Sequence, residues 1–219
     1  MFANIKTTVL ALGLIAAFIS VSARGAPTCT ALCIVAPTGN DANAEDALNP
    51  LLTIQAAVNQ VSANGVVQVN AGAYSELVVV AKDDLFITGA SVATVALTAP
   101  ALNTGFGIHV SGNRTNVHIS GITIQNFQVG IQFGTNPDNQ TNVSARNLVS
   151  SNNGSAGIAF QSGGTLQNAT VSNVVANNNG GAGAAFLRRG LWVGYGTSLS
   201  VFIENSAFNN KGTFINSIF

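Results

Sequence analysis

Charge is what this sequence has least of. Only 7% of its 219 residues are charged, eight Lys or Arg against eight Asp or Glu, where an average chain carries about 25%. A formal net charge of zero lacks the basic footprint of a nucleic-acid binder. Disorder is excluded as well, because disordered chains combine high charge with few apolar residues, and 47% of this chain is hydrophobic. Two cysteines and two histidines, not clustered, make a poor metal site. Carboxylates are scarce too: from Ser91 onward the acids are Asp138 and Glu204 alone. Glycoside hydrolysis takes a pair of carboxylates flanking one bond, and that stretch offers no pair. The length suits one domain with a real core. Its surface must therefore be covered by Asn, Ser, Thr, Gln and Gly.

Long hydrophobic runs are missing except at the start. "MFANIK" carries one Lys, "TTVLALGLIAAFIS" is unbroken and apolar, and "VSA" offers small residues before a cut after Ala23. This is the three-part pattern of a secretory signal peptide, residues 1–23, with Ala26 as the alternative cut. The run is shorter than the ~20 residues of a spanning helix. Export to the medium, the periplasm or the cell surface is expected, with no stable membrane span once the peptide is removed. Retention as an uncleaved anchor is the lesser alternative. Cys29 and Cys33 would then meet an oxidising compartment, where a disulfide is the default. It requires the chain to turn, since bridged Cα atoms approach within about 7 Å.

What is present is a repeat. "NVHISGITIQN", "NVSARNLVSSN" and "NATVSNVVANN" start at Asn116, Asn142 and Asn168, equally spaced along the chain. The period is about 26 residues, within the range of stacked repeat architectures. Read in columns, Ile119, Ala145 and Val171 are apolar, as are Ile122, Leu148 and Val174, while Asn126, Asn152 and Asn178 are identical. "GIQF", "GIAF" and "GAAF" set Phe133, Phe160 and Phe186 in a further column. "IENSAFNN" is a fourth copy after a longer gap, from Asn178 to Asn210. Short alternating runs bounded by turn residues read as strands. One repeat cannot bury its apolar side alone; stacking copies at about 4.8 Å buries a column and pairs the backbone. The expected fold is all-β, a right-handed parallel β-helix. Its Asn columns should form amide ladders.

Ahead of the repeat, "NPLLTIQAAVNQVSANGVVQVNAGAYSE" changes character. Ile54, Val58 and Val61 recur at helical spacing, and Val67, Val69 and Ala71 then alternate like a strand. A short amphipathic helix at this point can lie across the open end of the stack and cover strand edges that would otherwise invite aggregation. "APTGNDAN…NPLLTIQAAVNQV…GVVQVNAGAYSE" resembles the amino-terminal signature of right-handed parallel β-helix proteins of the pectate-lyase-like superfamily. The resemblance covers roughly residues 35–215 and includes Gly72, Tyr74 and Glu76. It implies a single domain over residues 24–219 with an amino-terminal capping helix. "GTFINSIF" stops on apolar residues, as if another layer should follow; a shortened domain or an edge packed on a partner is expected.

The superfamily includes lyases, hydrolases, epimerases and adhesins, so the resemblance does not select an activity. A lyase of this kind implies carboxylates clustered on outward strand positions, calcium, and a basic residue to take a proton. The clustered acids are lacking here. Asp41, Glu45 and Asp46 could hold a cation, but they read better as a polar turn before the helix; Asp83-Asp84 reads as a turn. His109 and His118 alternate with apolar neighbours and point away from the core. The outward column Ser120, Arg146, Ser172, Glu204 reads as a solvated face. The strongest binding candidate is the insertion before the fourth copy, with Arg188, Arg189, Trp192 and Tyr195, because insertions emerge as loops on one face. Aromatic rings stack on sugars and Arg pairs with carboxylates. The competing arrangement is a buried strand through Leu191, Trp192 and Val193. The leading expectation is a non-catalytic glycan-binding or surface protein, with a polysaccharide or cell-surface glycan as partner and no nucleic acid. The alternative is a polysaccharide-degrading enzyme, a lyase before a hydrolase, with Arg146 or Arg188 as the base.

Overall fold

Alternation of apolar and turn residues becomes parallel strands. The structure, a computed structural model, describes residues 29, 31–43, 49–161, 164–180, 189–193 and 198–209. The proposed signal peptide lies outside them. A first strand, β1 (Leu32–Val35), precedes the helix α1 (Ile54–Gln60). Then follow β2 (Gly65–Val69), β3 (Gly72–Ser75), β4 (Val78–Val80), β5 (Leu85–Gly89), β6 (Val95–Thr98) and β7 (Phe106–Val110). Next come β8 (Arg114–Thr115), β9 (Val117–Ser120), β10 (Thr123–Gln125), β11 (Val129–Phe133), β12 (Gln140–Thr141), β13 (Ser144–Ser151) and β14 (Ala156–Phe160). The last are β15 (Thr165–Asn177), β16 (Arg189–Val193), β17 (Ser198–Glu204) and β18 (Ala207–Asn209). The fold is all-β with very little helix, a 13-stranded and a 5-stranded sheet in which strand pairs run parallel.

The register is the repeat made physical. Ser144 pairs with His118 on one side and Thr170 on the other, each exactly one repeat away along the chain. The pairing of Val171 with Ile203 reproduces the longer gap before the fourth copy. One core column runs through Cys33, Val67, Ile87, Ile119, Ala145, Val171 and Ile203. All of these are fully buried except Ile203, which is 37% exposed because no further strand covers it among the described residues. Phe133 and Phe160 stack with ring centroids 4.8 Å apart. The expected third member, Phe186, lies outside the described residues, and Phe160 instead pairs with Val193. Another correction concerns Ala71: it is exposed, because β2 ends at Val69 and the chain turns.

Asparagine works in two ways. Asn142 Nδ2 donates to Asn116 Oδ1, and Asn116 Nδ2 to Asp84 Oδ1, a surface ladder as expected. The column of Asn126, Asn152 and Asn178 shares a left-handed backbone instead, with φ of 69°, 58° and 54°. Asn tolerates that region better than most residues with a Cβ. The buried ladder sits one residue on. Asn153 Oδ1 accepts from Phe127 N, and Asn179 Oδ1 accepts from Asn153 N and Nδ2, each at 3.0 Å.

The helix is held by the residues of the amino-terminal signature. Thr53 is the N-cap, accepting from Ala56 N at 3.1 Å. The Glu76 carboxylate accepts from Ile54 N and Gln55 N at 2.8 and 2.9 Å, where the positive end of the helix favours an anion. At the other end Lys82 Nζ donates to Asn59 O and Val61 O. The Gln55 side-chain amide accepts from Val79 N and donates to Val79 O, as a neighbouring strand would, and so occupies the outer edge of β4. Ile54, Ala57, Val58 and Val61 are buried beneath. Tyr74 OH donates toward Asn70 O and Val35 O, and a side chain at Gly72 would collide with Pro37. Cys29 and Cys33 form the expected disulfide, Cα atoms 5.3 Å apart. No helix among the described residues is long and apolar enough to cross a membrane.

Candidate functional site

The strands β5, β9 and β13 bring two outward rows together. One reads Phe86, His118, Ser144, Thr170 and the other Thr88, Ser120, Arg146, Ser172. Their meeting point is a cleft of about 310 Å³ lined by Phe86, His118, Ile119, Ser120, Ser144 and Arg146. Alternation forces this placement: Val117 and Ile119 are fully buried, so His118 between them faces out. The Phe86 and His118 rings stack, centroids 4.8 Å apart. His118 Nδ1 lies 2.8 Å from Ser144 Oγ, and Ser144 is itself buried. That contact orients the ring and, in one tautomer, leaves Nε2 as a free acceptor. Burial, and then the charge of Arg146, push the imidazole below its ordinary value. The shift favours the uncharged ring, the form whose lone pair can act as a base.

In the sequence His118 and Arg146 stand apart, and their meeting is not visible there. The signal was in the repeat: Ser144 stands one full repeat after His118, in the same column. Arg146 is exposed and pairs across strands with Ser120 and Ser172. Glu204 is the neighbour beyond Ser172, as the column predicts.

The stretch "RGLWV" takes the competing arrangement, a strand. Ala156, Ile158 and Phe160 pair with Arg189, Leu191 and Val193, an offset longer than one repeat. Before it, the Gly180 N–H still donates to Asn153 O. "RGLWV" is strand β16, with Leu191 and Val193 buried at 2% and 3% exposure. Arg189 and Trp192 are strand residues, Trp192 in register with Ala159. Arg188 and Tyr195, like Glu45 and Asp46, lie outside the described residues.

The other acids are structural. Asp41 accepts from Leu52 N, Thr53 N and Thr53 Oγ1. Asp138 Oδ2 accepts from Gly112 N, Thr135 N and Thr135 Oγ1. Asp83 meets Arg114 at 3.4 Å. His109 is half-buried beside Phe106 and, though close to His118 along the chain, stands in the other sheet. No group of three or more His, Cys, Asp and Glu gathers among the described residues.

The chain matches no protein-family description and no curated protein by sequence. By structure it is similar to an alginate lyase from Paenibacillus sp. str. FPU-7, with a TM-score of 0.54 and 16% identity over 81% of this chain. It spans 57% of that enzyme's length. At that identity the likeness speaks for the fold: a chain of mostly parallel strands shared with a polysaccharide lyase.

Proposed function

We propose that this chain is an exported right-handed parallel β-helix that binds an acidic polysaccharide in the Phe86–His118–Arg146 cleft and cleaves it by elimination. The single observation behind the chemistry is an imidazole, oriented by Ser144 and stacked on Phe86, in one cleft with a guanidinium. The likeness to an alginate lyase supports a polysaccharide-degrading role over a purely binding one. Parallel strands offset by one repeat support the β-helix, and parallel crossovers are right-handed in about 98% of cases. The disulfide is compatible with an exported protein, its signal peptide being residues 1–23 and its domain residues 24–219.

Arg146 pairs with a uronate carboxylate and withdraws charge from it, which acidifies the adjacent C–H. With Nδ1–H donating to Ser144 Oγ, His118 Nε2 takes that proton. The C–H electrons form a C=C bond, the glycosidic C–O bond at the β carbon breaks, and its electron pair goes to the leaving oxygen. The leaving oxygen then receives a proton from the imidazolium. One product carries an unsaturated end and the other a new hydroxyl.

The test is mass spectrometry of products after incubating the chain from Arg24 onward with acidic and neutral polysaccharides, with and without calcium. Unsaturated ends are expected with acidic polymers, and His118→Gln should lower their rate by about 10²–10⁴-fold, the usual worth of a general base. Water-added ends would indicate a hydrolase instead. A second reading, glycan binding without turnover, is favoured by the exposure of Phe86 at 40% and Phe202 at 60% in the same outward row. Intact polymers that nevertheless bind would select it. Arg188, Arg189, Trp192 and Tyr195 stay in either reading as a second glycan contact, tested by Arg188→Ala and Trp192→Ala. The edge carrying Ile203 is where a protein partner would pack.

A further inference from the structure

A larger groove of about 480 Å³ opens next to the cleft, within the range of about 300–1,000 Å³ typical of ligand sites. Its origin is a missing pair of side chains. One residue beyond the row of Thr88, Ser120, Arg146 and Ser172, Gly89, Gly121, Asn147 and Asn173 follow one another in contact. The two glycine backbones approach so closely that a Cβ on either would strike the other's carbonyl oxygen. The layers holding Gly89 and Gly121 are therefore bare, while Asn147 and Asn173 project beside them. The turn at Ala90–Val92, pinned by Thr123 Oγ1 donating to Val92 O at 2.7 Å, lines the groove as well.

The chemistry of this groove is uncharged. Hydroxyls, amides and the apolar Val92, Val149 and Val175 line it, and no charged side chain does among the described residues. The ladder also has a direction. Asn173 Nδ2 donates to Asn147 Oδ1 at 3.1 Å, so Asn147 Nδ2 remains as a donor and Asn173 Oδ1 as an acceptor. A donor, an acceptor and an apolar patch suit the hydroxyl edge and apolar face of a neutral sugar. A uronate here would place its carboxylate against no cation, at the cost of lost hydration. Ser120 lines both this groove and the Arg146 cleft, so one saccharide chain can occupy the two together.

We infer that the Gly121–Asn147 groove is a subsite for a neutral sugar unit, and that the polysaccharide taken by this protein is an acidic heteroglycan in which uronate units alternate with neutral ones. This rests on the reading of the Arg146 cleft as a uronate site.

The experiment is calorimetric titration of two probes of equal length: an oligomer of mannuronate alone, and one alternating glucuronate with glucose. Asn147→Asp keeps the acceptor for Asn173, tolerates the left-handed backbone (φ 50°) and replaces only the free donor. The alternating oligomer is expected to bind at least tenfold tighter than the homopolymer. Asn147→Asp should erase that gap at unchanged melting temperature, and Arg146→Ala should weaken both probes. Val92→Lys, on an exposed turn, should instead tighten the homopolymer by supplying a cation. Equal affinities that ignore Asn147→Asp and Val92→Lys, with Arg146→Ala still weakening both, would overturn the subsite and spare the uronate site. Failure of both probes to bind would overturn both.

Discussion

At the scale of the residue, asparagine and histidine do most of the specific work. Asn126 sits at φ 69° with its carbonyl accepting from Asn103 N. A residue with an ordinary Cβ is disfavoured by about 1–2 kcal/mol in that region. Asn126→Ala should therefore cost about that much in urea unfolding, and Asn126→Gly much less; equal losses would mean that the amide, not the backbone, matters there. His118 carries a prediction about pH. Its pKa is lowered by burial and by Arg146, so kcat/KM should be flat at neutrality and fall only below the ordinary histidine value. Arg146→Ala removes the charge contribution and should move that fall to higher pH, besides weakening binding. A merely structural arginine would lower the rate without moving the profile.

Elements are joined by a few buried or half-buried contacts, and the clasp on α1 is the clearest. Burial pushes the Glu76 carboxyl above its ordinary range, the N–H groups of Ile54 and Gln55 draw it back, and Asp41 adds to the rise. Glu76→Ala strips both N–H groups of their acceptor. At about 1–3 kcal/mol for an unmet buried donor, and less where water reaches, the expected loss is about 2 kcal/mol by urea titration. Tyr74 is pushed up to about 12 from 10.0, by burial and then by Glu76. The folded state therefore holds that proton more tightly than the unfolded state does. Its stabilising contribution is complete below the unfolded value of 10.0 and is lost as pH rises to about 12. Tyr74→Phe should flatten the alkaline limb of a plot of melting temperature against pH, with loss of the bonds to Val35 and Asn70.

For the whole molecule, cohesion comes from columns that cross every layer. Cys33 to Val171 is one such column, and the amides of Asn153 and Asn179 form another inside it. Asn153→Ala would orphan Phe127 N, in surroundings where Asn153 is fully buried, while the backbone N–H of residue 153 would still donate to Asn179 Oδ1. It should cost about 1–3 kcal/mol, the penalty for one unmet buried donor. Combined with Asn179→Ala, the loss should fall well short of additive, because the network is already broken. Additive losses would mean that the layers are stabilised independently. A stack built in this way has ends. At one, Gln55 of α1 occupies the edge of β4, while Ile203 on β17 holds a core position that no further strand covers among the described residues.

Much of this was legible before any coordinates. A repeat of constant length from Asn116 to Asn168 dictates parallel pairing at that offset, because only stacking buries apolar columns too narrow to form a core alone. Periodicity likewise marked α1, and the scarcity of carboxylates turned attention from hydrolysis. What escaped reading was anything decided between columns or by loop length. Composition left "RGLWV" as either a loop or a strand; backbone pairing with β14 decided it. His118 and Arg146 stood in different repeats, and only the pleat, which turns alternate residues to one face, set them in one cleft. Nothing in the sequence set Gly89 beside Gly121, and only close stacking of their backbones opened the neighbouring groove. Sequence period therefore determined which residues stack. Tertiary structure alone decided which stacked residues face one another across the surface, since that depends on twist, bulges and insertion lengths that no single repeat encodes.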